Sequence, residues 1–241
     1  MQTVDRAHLS TAATGQTRNW LELLRQLGGS ALRLPKSLID GHWRFRRAVH
    51  AADREHYAGL AKRGQAPIAM VIACCDARVD VSAIFSAEAG DLFIMRNVAN
   101  LVPPYEPTGK YHGTSAAIEY AALVLKVPHI IVLGHSHCGG VQAYREGLKG
   151  KPDDTTFIGP WLTLLDGLDV KENEIFEYGQ EAAFELAAIR QSLANLRTFP
   201  VIRDSEATER LALHGLYFDI ASGELLALDG GGDHFVALPE S

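Results

Sequence analysis

The stretch PIAMVIACCDAR, residues 67–78, joins an apolar run directly to a cluster of reactive side chains. Seven residues without a polar side chain come first, and the cluster Cys-Cys-Asp-Ala-Arg follows from Cys74 onward. A short continuous apolar run that ends at polar residues is typical of a strand buried on both faces, as in a parallel sheet. The stretch therefore predicts a parallel sheet with reactive groups at the end of one strand.

Similar units follow along the chain. Residues 92–95 and 129–133 are two further apolar runs, and a helical spacing of apolar residues between them begins near Thr114 and stops at Pro128. Strands that alternate with helices predict a single α/β domain with a mainly parallel central sheet flanked by helices. A hairpin-like pair over residues 211–228 would add strands at the C-terminal edge.

The remaining segments are predicted from apolar spacing and turn residues. Helices are expected after Pro35, over residues 51–63 and over 181–196, whereas the Gly-, Lys-, Pro- and Asp-rich residues 147–160 predict a loop.

The N-terminal part of the chain has a different pattern. Trp20, Leu23, Leu24 and Leu27 repeat at helical spacing after a polar tail. Such a stripe outside a domain core needs a partner surface. We expect a tail and helical arm over residues 1–35 and the α/β domain over residues 36–241.

The composition excludes several classes of protein. The 241 residues are 47% hydrophobic and 22% charged, which is typical of a globular chain. The net charge of −6 gives no argument for binding nucleic acid or an anionic membrane. No apolar run approaches the roughly 20 residues of a membrane span, and the N-terminus lacks the apolar core of a signal peptide. Three cysteines are too few for a disulfide scaffold and favour a reduced, cytoplasmic protein.

Two clusters of metal-binding residue types follow predicted strands. Cys74 ends the first, and the GHSHCGG stretch over residues 134–140, with His135 and Cys138, ends another. The carboxyl ends of parallel strands form one ligand crevice. A Cys₂His set suits zinc and leaves a fourth position open. Either cysteine alone is more often a small core residue, and their joint placement favours a metal site.

The neighbours of these residues suggest further roles. Asp76 and Arg78 form either a structural ion pair or a switch in which Arg78 holds the carboxylate away from the metal. Cys75 should point away and pack as an inert residue. The helix start at Gly139 favours an anion beside the metal. His137 is expected to be a surface or packing residue.

In combination, Cys74-x-Asp76-x-Arg78 and His135-x-x-Cys138 resemble the β-class carbonic anhydrases. The resemblance runs from about Gln65 to Tyr144, and RNVANLVPPY over residues 96–105 looks like the plant-type and related bacterial branch. It implies the reversible hydration of carbon dioxide to bicarbonate and a proton by zinc-bound hydroxide, with one Zn²⁺ per chain.

The resemblance also implies a role for each matching residue. Cys74, His135 and Cys138 would bind zinc. Asp76 would accept a hydrogen bond from the zinc-bound water, while Arg78 keeps Asp76 off the metal.

The resemblance adds a substrate pocket that the pattern alone does not indicate. Gln65 would donate a hydrogen bond to substrate or bicarbonate, and Phe93, Val98 and Tyr120 would narrow the pocket. Without the resemblance, Phe93 and Val98 are ordinary core residues. The proton shuttle stays open, and the candidates are His112, His137 and Tyr120.

Regulation and assembly are implied in the same way. One branch of the family has a tryptophan in a regulatory bicarbonate pocket, and Val71 stands at that position here, so we expect an open site at neutral pH. Members of the family are dimers or dimers of dimers, with the active site at the subunit interface. The arm over Trp20 to Leu27 fits a role in embracing a neighbouring subunit.

Other functions remain open at this point. A sensor with the same fold would have Asp76 closing the metal and no turnover. An enzyme for carbon disulfide or carbonyl sulfide would use the same metal centre. A redox pair of Cys74 and Cys75 would predict zinc-free protein.

Overall fold

The structure, a computed structural model, describes residues 33–150 and 155–239. The chain divides into two compact units, Met1–Glu55 and His56–Ser241. The described part of the first unit begins with helices α1 (Lys36–Arg47) and α2 (Val49–Ala52). The predicted arm over residues 20–27 lies outside the described residues.

The second unit contains the sheet and the remaining helices. Helix α3 begins just before the boundary between the units. The helices are α3 (Arg54–Arg63), α4 (Val81–Ile84), α5 (Gly113–Glu119), α6 (Gly139–Leu148), α7 (Ile158–Leu162), α8 (Glu172–Leu196) and α9 (Pro200–Ala207). The strands are β1 (Ala69–Cys74), β2 (Leu92–Asn97), β3 (His129–His135), β4 (Ala212–Phe218), β5 (Leu225–Leu228) and β6 (Phe235–Ala237).

The six strands form one sheet in the order β2-β1-β3-β4-β5-β6. The first four strands are parallel, and β5 and β6 run antiparallel to their neighbours. Every residue of β1 is buried, which is the reason for its unbroken apolar run. The predicted α/β fold, with a mainly parallel sheet and C-terminal edge strands, is confirmed.

Strands β1 and β3 lie side by side although α4, β2, α5 and the π-helix that continues α5 lie between them in the sequence. Their register pairs Val71 with Ile131 and Ala73 with Leu133. The loops that follow both strands therefore leave the sheet at the same edge. This crossover brings the two reactive clusters together.

Helix α8 packs closely on this sheet because two strand positions lack a side chain. A Cβ atom on Gly134 would lie 2.6 Å from Ile189 Cδ1, and one on Gly215 would lie 2.9 Å from Ile189 Cγ2. Both glycines leave room for Ile189, which is fully buried. Because of this close approach, the residues of α8 one turn before Ile189 lie next to the end of β3.

Several boundaries differ from the predictions. The helix expected over 181–196 begins at Glu172 and bends at Gly179, whose φ is 86°. The α-helix beginning at Gly113 continues as a π-helix over Tyr120–Leu125. The loop predicted over 147–160 was too long, since α6 reaches Leu148 and α7 begins at Ile158.

Helix α9 was missed because it is short, although Pro200 at its start is a known helix-start signal. Among the described residues, no helix is long and apolar enough to cross a membrane.

Candidate metal centre

The structure brings together the three predicted metal ligands. Cys74 is the last residue of β1, His135 is the last residue of β3, and Cys138 directly precedes α6. Their ligand atoms all lie within 4.8 Å of one another, and all three residues are buried. The two Sγ atoms are 4.0 Å apart. Two sulfur ligands of a tetrahedral zinc ion would lie about 3.8 Å apart, so the spacing fits such an ion.

The imidazole of His135 has one nitrogen occupied and one unused. Nδ1 lies 2.9 Å from the carbonyl oxygen of Ser136, which can only accept, so Nδ1 donates the proton. Nε2 is buried and has no hydrogen-bond partner in the described part of the chain. A backbone acceptor on one ring nitrogen and a metal on the other is the usual arrangement of a metal-binding histidine. The site is thus able to hold a metal ion.

The two thiols influence each other's protonation. The hydrogen bond from Cys138 lowers the pKa of Cys74 to about 4, and backbone N–H groups of Asp76 and Ala99 add to this effect. The same sulfur–sulfur contact and burial raise the pKa of Cys138. The lowered pKa favours the thiolate form of Cys74. A thiolate is the form in which cysteine binds a metal.

Arg78 holds the Asp76 carboxylate in a two-pronged ion pair. Its Nε donates to Asp76 Oδ1 over 2.9 Å and its Nη2 donates to Oδ2 over 2.7 Å. This contact holds the pKa of Asp76 well below its usual range. Arg78 Nη2 also donates to the carbonyl oxygen of His137 over 2.9 Å. One guanidinium therefore links the two loops, and Asp76 Oδ2 lies 4.0 Å from His135 Nε2.

Arg96 supports the same loop from β2, and the sequence reading missed it. Its Nε donates to the carbonyl oxygen of Cys74 over 2.8 Å, and its Nη2 donates to that of Asp76 over 2.7 Å. It lies in the RNVANLVPPY stretch that carried the resemblance. The sequence signal for this role of Arg96 was a cationic residue between two apolar stretches.

A buried carboxylate, also missed, lies beneath Cys138. Glu185 Oε1 accepts from the backbone N–H of Cys138 over 2.7 Å, and Oε2 accepts from the hydroxyl of Tyr217 over 2.8 Å. Burial raises the pKa of Glu185. The sequence signal was an acidic residue on the apolar side of a helix, close to Ala188 and Ile189.

Two more of the predicted residues lie beside the cluster. Val98 follows β2 directly and would contact a side chain at Gly140. Gly139 begins α6, and nothing lies within 4 Å of where its Cβ would be. Cys75 is exposed, and Val71 is buried in the sheet. His137 is exposed, with its Nδ1 3.5 Å from Glu181 Oε2.

Three predicted substrate residues lie away from the metal ligands of the same chain. Asn97 pairs with Cys74, and Phe93 lies four residues earlier on β2, which is about 13 Å along the strand. The Phe93 ring stacks on Tyr120 with centroids 5.8 Å apart. Gln65 is exposed and precedes β1, at the opposite end from Cys74. In the described part of one chain, these three residues therefore do not lie beside the Cys74, His135 and Cys138 cluster.

A Cys₂His metal centre at the carboxyl ends of a parallel sheet defines a class of metalloprotein, and comparisons with known proteins give its family. The carbonic anhydrase family model matches residues 69–225. A carbonic anhydrase of Pseudomonas aeruginosa is 39% identical over 209 residues, which cover 85% of this chain and 92% of that protein. The chain belongs to the β-class carbonic anhydrase family.

Solved structures agree with this assignment. The β-carbonic anhydrase CcaA matches with a TM-score of 0.72 and 34% identity, covering 86% of this chain and 92% of its own. A tetrameric β-carbonic anhydrase of Sordaria macrospora matches with a TM-score of 0.62 and 28% identity, covering 84% of this chain and 95% of its own.

Proposed function

We propose that this chain catalyses the reversible hydration of carbon dioxide to bicarbonate and a proton, with one zinc ion held by Cys74, His135 and Cys138. The observation that carries the proposal is the buried Nε2 of His135, which has no hydrogen-bond partner among the described residues and lies close to two cysteine sulfurs. Zinc bound there would lower the pKa of a water ligand below its value in bulk water, and would so supply a nucleophile.

Asp76 and Arg78 orient that nucleophile. The ion pair with Arg78 keeps the carboxylate ionised, so Asp76 can only accept hydrogen bonds. An acceptor in a fixed place selects one orientation of the attacking water. Arg78 also restrains Asp76 from moving toward the ligand cluster, which supports an open site at neutral pH. Val71 leaves no tryptophan for the regulatory bicarbonate pocket.

The substrate pocket is completed by a second copy of the chain. Phe93, Tyr120 and Gln65 lie too far from the ligands of their own chain to contact the same small molecule, so they serve the partner's metal centre. Val98 and the backbone N–H of Gly139 come from the chain that holds the metal. Apolar walls suit carbon dioxide, and the helix start at Gly139 favours bicarbonate.

The exposed surface near β2 supports this assembly. β2 is at the edge of the sheet, and no described strand pairs with its outer side. Large apolar side chains are exposed there and on the π-helix; they are Ile94, Tyr120, Leu123 and Val124. We propose a homodimer or a dimer of dimers, with the arm of residues 1–35 packing on the partner. The relative from Sordaria macrospora is tetrameric. The free cysteines support a cytoplasmic location.

Metal removal tests the proposed function. Purified protein should contain one zinc per chain and hydrate carbon dioxide in a stopped-flow assay. Chelation should abolish the activity, and zinc alone should restore it. Full activity after complete removal of zinc would contradict the proposal. Zinc without hydration of carbon dioxide would shift the function to a sensor, or to carbon disulfide or carbonyl sulfide as substrate.

A further inference from the structure

Glu185 is a buried carboxylate that the proposed reaction does not use. Only 2% of its surface is exposed. Its two oxygens accept from the N–H of Cys138 and from the hydroxyl of Tyr217. Glu185 thus connects helix α8, strand β4 and the loop that carries a metal ligand.

The loop before α6 needs an acceptor at this point. His137 has a φ of 57°, a left-handed conformation that residues other than glycine rarely adopt. Cys138 is 1% exposed and precedes the first turn of α6, so neither a strand nor the helix supplies an acceptor for its N–H. A buried N–H without an acceptor is costly. The carboxylate of Glu185 satisfies this group and fixes the backbone that carries the Cys138 sulfur.

Another glutamate of the same helix shows what a purely structural carboxylate looks like. Glu174 is also 2% exposed, and both its oxygens accept from Arg190 over 2.6 and 2.7 Å. That ion pair joins the two parts of α8 on either side of Gly179. Among the contacts described for Glu185, by contrast, none is with an arginine or a lysine. Its shortest hydrogen bond is with the backbone N–H of Cys138, which is one of the proposed metal ligands.

We propose that Glu185 is a positioning residue that sets the place of the Cys138 sulfur and thereby the affinity of the site for zinc. This inference rests on the proposed zinc site. It predicts that loss of the Glu185 carboxylate lowers the affinity for zinc more than it lowers the stability of the fold. Outer contacts of this kind change metal affinity by about 10- to 100-fold when they are removed.

Metal affinity of three variants tests the proposal. The affinity of the full chain for zinc is measured by competition with a chromophoric chelator. Glu185→Ala should raise the Kd for zinc about 10- to 100-fold. Glu185→Gln should stay within about threefold of the parent chain, because an amide oxygen can still accept from Cys138. The matched control Glu174→Ala should lower the Tm of the protein and leave the Kd unchanged.

A spectroscopic measurement separates positioning from general loosening. With Co²⁺ as the probe, the thiolate-to-cobalt charge-transfer absorption should change in Glu185→Ala and be kept in Glu174→Ala. If Glu185→Ala does not fold, Glu185→Asp withdraws the carboxylate by one methylene and should also raise the Kd for zinc by about tenfold.

Three results would overturn the inference. The first is an unchanged zinc Kd in Glu185→Ala. The second is a rise of the zinc Kd in Glu174→Ala as large as that in Glu185→Ala. The third is a zinc Kd in Glu185→Gln as high as that in Glu185→Ala. A parent chain that binds no zinc would instead refute the proposed function, so the two failures are distinguishable.

Discussion

Strand β3 has a histidine at each end, and the two histidines differ in their exposure and in their contacts. His129 opens the strand and is exposed, with its Nδ1 3.2 Å from His214 Nε2 on β4. His135 closes the strand six residues later and is 1% exposed, with Nε2 facing two cysteines. The same side chain forms a surface pair at one end and part of a metal centre at the other.

The difference comes from what the chain does after each end of the sheet. At the carboxyl ends, the loops after β1 and β3 leave at the same edge and fold over each other, joined by Arg78. Such loops can enclose a small, closed set of ligands. At the amino ends, His129 and His214 lie at a surface groove with apolar neighbours such as Ile68 and Leu238. Position in the fold, rather than residue type, assigns the chemistry.

The largest effect should come from replacing the two histidines of β3 in turn. His135→Ala should lose zinc and reduce hydration by roughly a thousandfold or more, because the activation of water depends on the metal. His129→Ala should keep both. Zinc analysis and stopped-flow hydration are measured on the same preparations. A variant without His135 that holds zinc normally would disprove the ligand assignment.

The Asp76 carboxylate should affect turnover without affecting the metal. Asp76→Asn should keep one zinc per chain and lower hydration by about 100-fold, since the amide no longer acts only as an acceptor. Asp80→Asn is a matched control, because Asp80 caps α4 through the N–H groups of Ser82 and Ala83. Full activity of the Asp76 variant would refute the orienting role.

Mixed oligomers test whether the pocket belongs to the partner. His135→Ala and a Phe93→Ala, Tyr120→Ala chain should each be inactive as homodimers. Refolded together, they should recover about a quarter of the parent activity, because half of the dimers then contain one complete site. If the pocket residues act within their own chain, mixing recovers nothing.

The smallest effect is expected for the pair of His129 and His214 at the amino ends of β3 and β4, and it concerns the pH dependence of stability. Burial and the neighbouring charge of His129 lower the pKa of His214 in the folded protein below its ordinary 6.5. Below about pH 6.5 the unfolded chain therefore takes up a proton more readily, and stability falls as the pH decreases. Because His214 is partly exposed, the contribution should be under about 1 kcal/mol.

Denaturant unfolding between pH 5 and about pH 7.5 measures this contribution. His214→Gln should flatten the dependence on pH. His129→Gln should flatten it less, because burial is the larger cause. A steeper fall in stability in His214→Gln would contradict the sign of the shift.

The sequence predicted the candidate metal ligands at the end of β3 better than it predicted the residues around them. Cys74, His135 and Cys138 could be predicted because each lies within four residues of an apolar strand, and parallel topology fixes where those strands end. Glu185 and Tyr217 could not, because the contacts of Glu185 with Cys138 and with Tyr217 depend on how closely α8 approaches the sheet. That approach depends on Gly134 and Gly215, which leave room for Ile189. Nothing in the sequence next to these glycines indicates that a helix packs against them.

The substrate residues show a different limit. Phe93 and Tyr120 were placed in the pocket only by resemblance to a family. Within one chain, Phe93 lies about 13 Å along β2 from the level of Cys74, and Tyr120 stacks on Phe93. The proposed sharing of the site between two chains would leave no periodicity or spacing that a single sequence could reveal.

The most decisive measurement is the rate of carbon dioxide hydration across the pH range, on protein of known zinc content. We expect one zinc per chain with activity already present at neutral pH, because the ion pair with Arg78 occupies both oxygens of the Asp76 carboxylate. Zinc-loaded protein that is active only at alkaline pH would contradict the open site. Zinc-loaded protein that is inactive at every pH would contradict the proposed function itself.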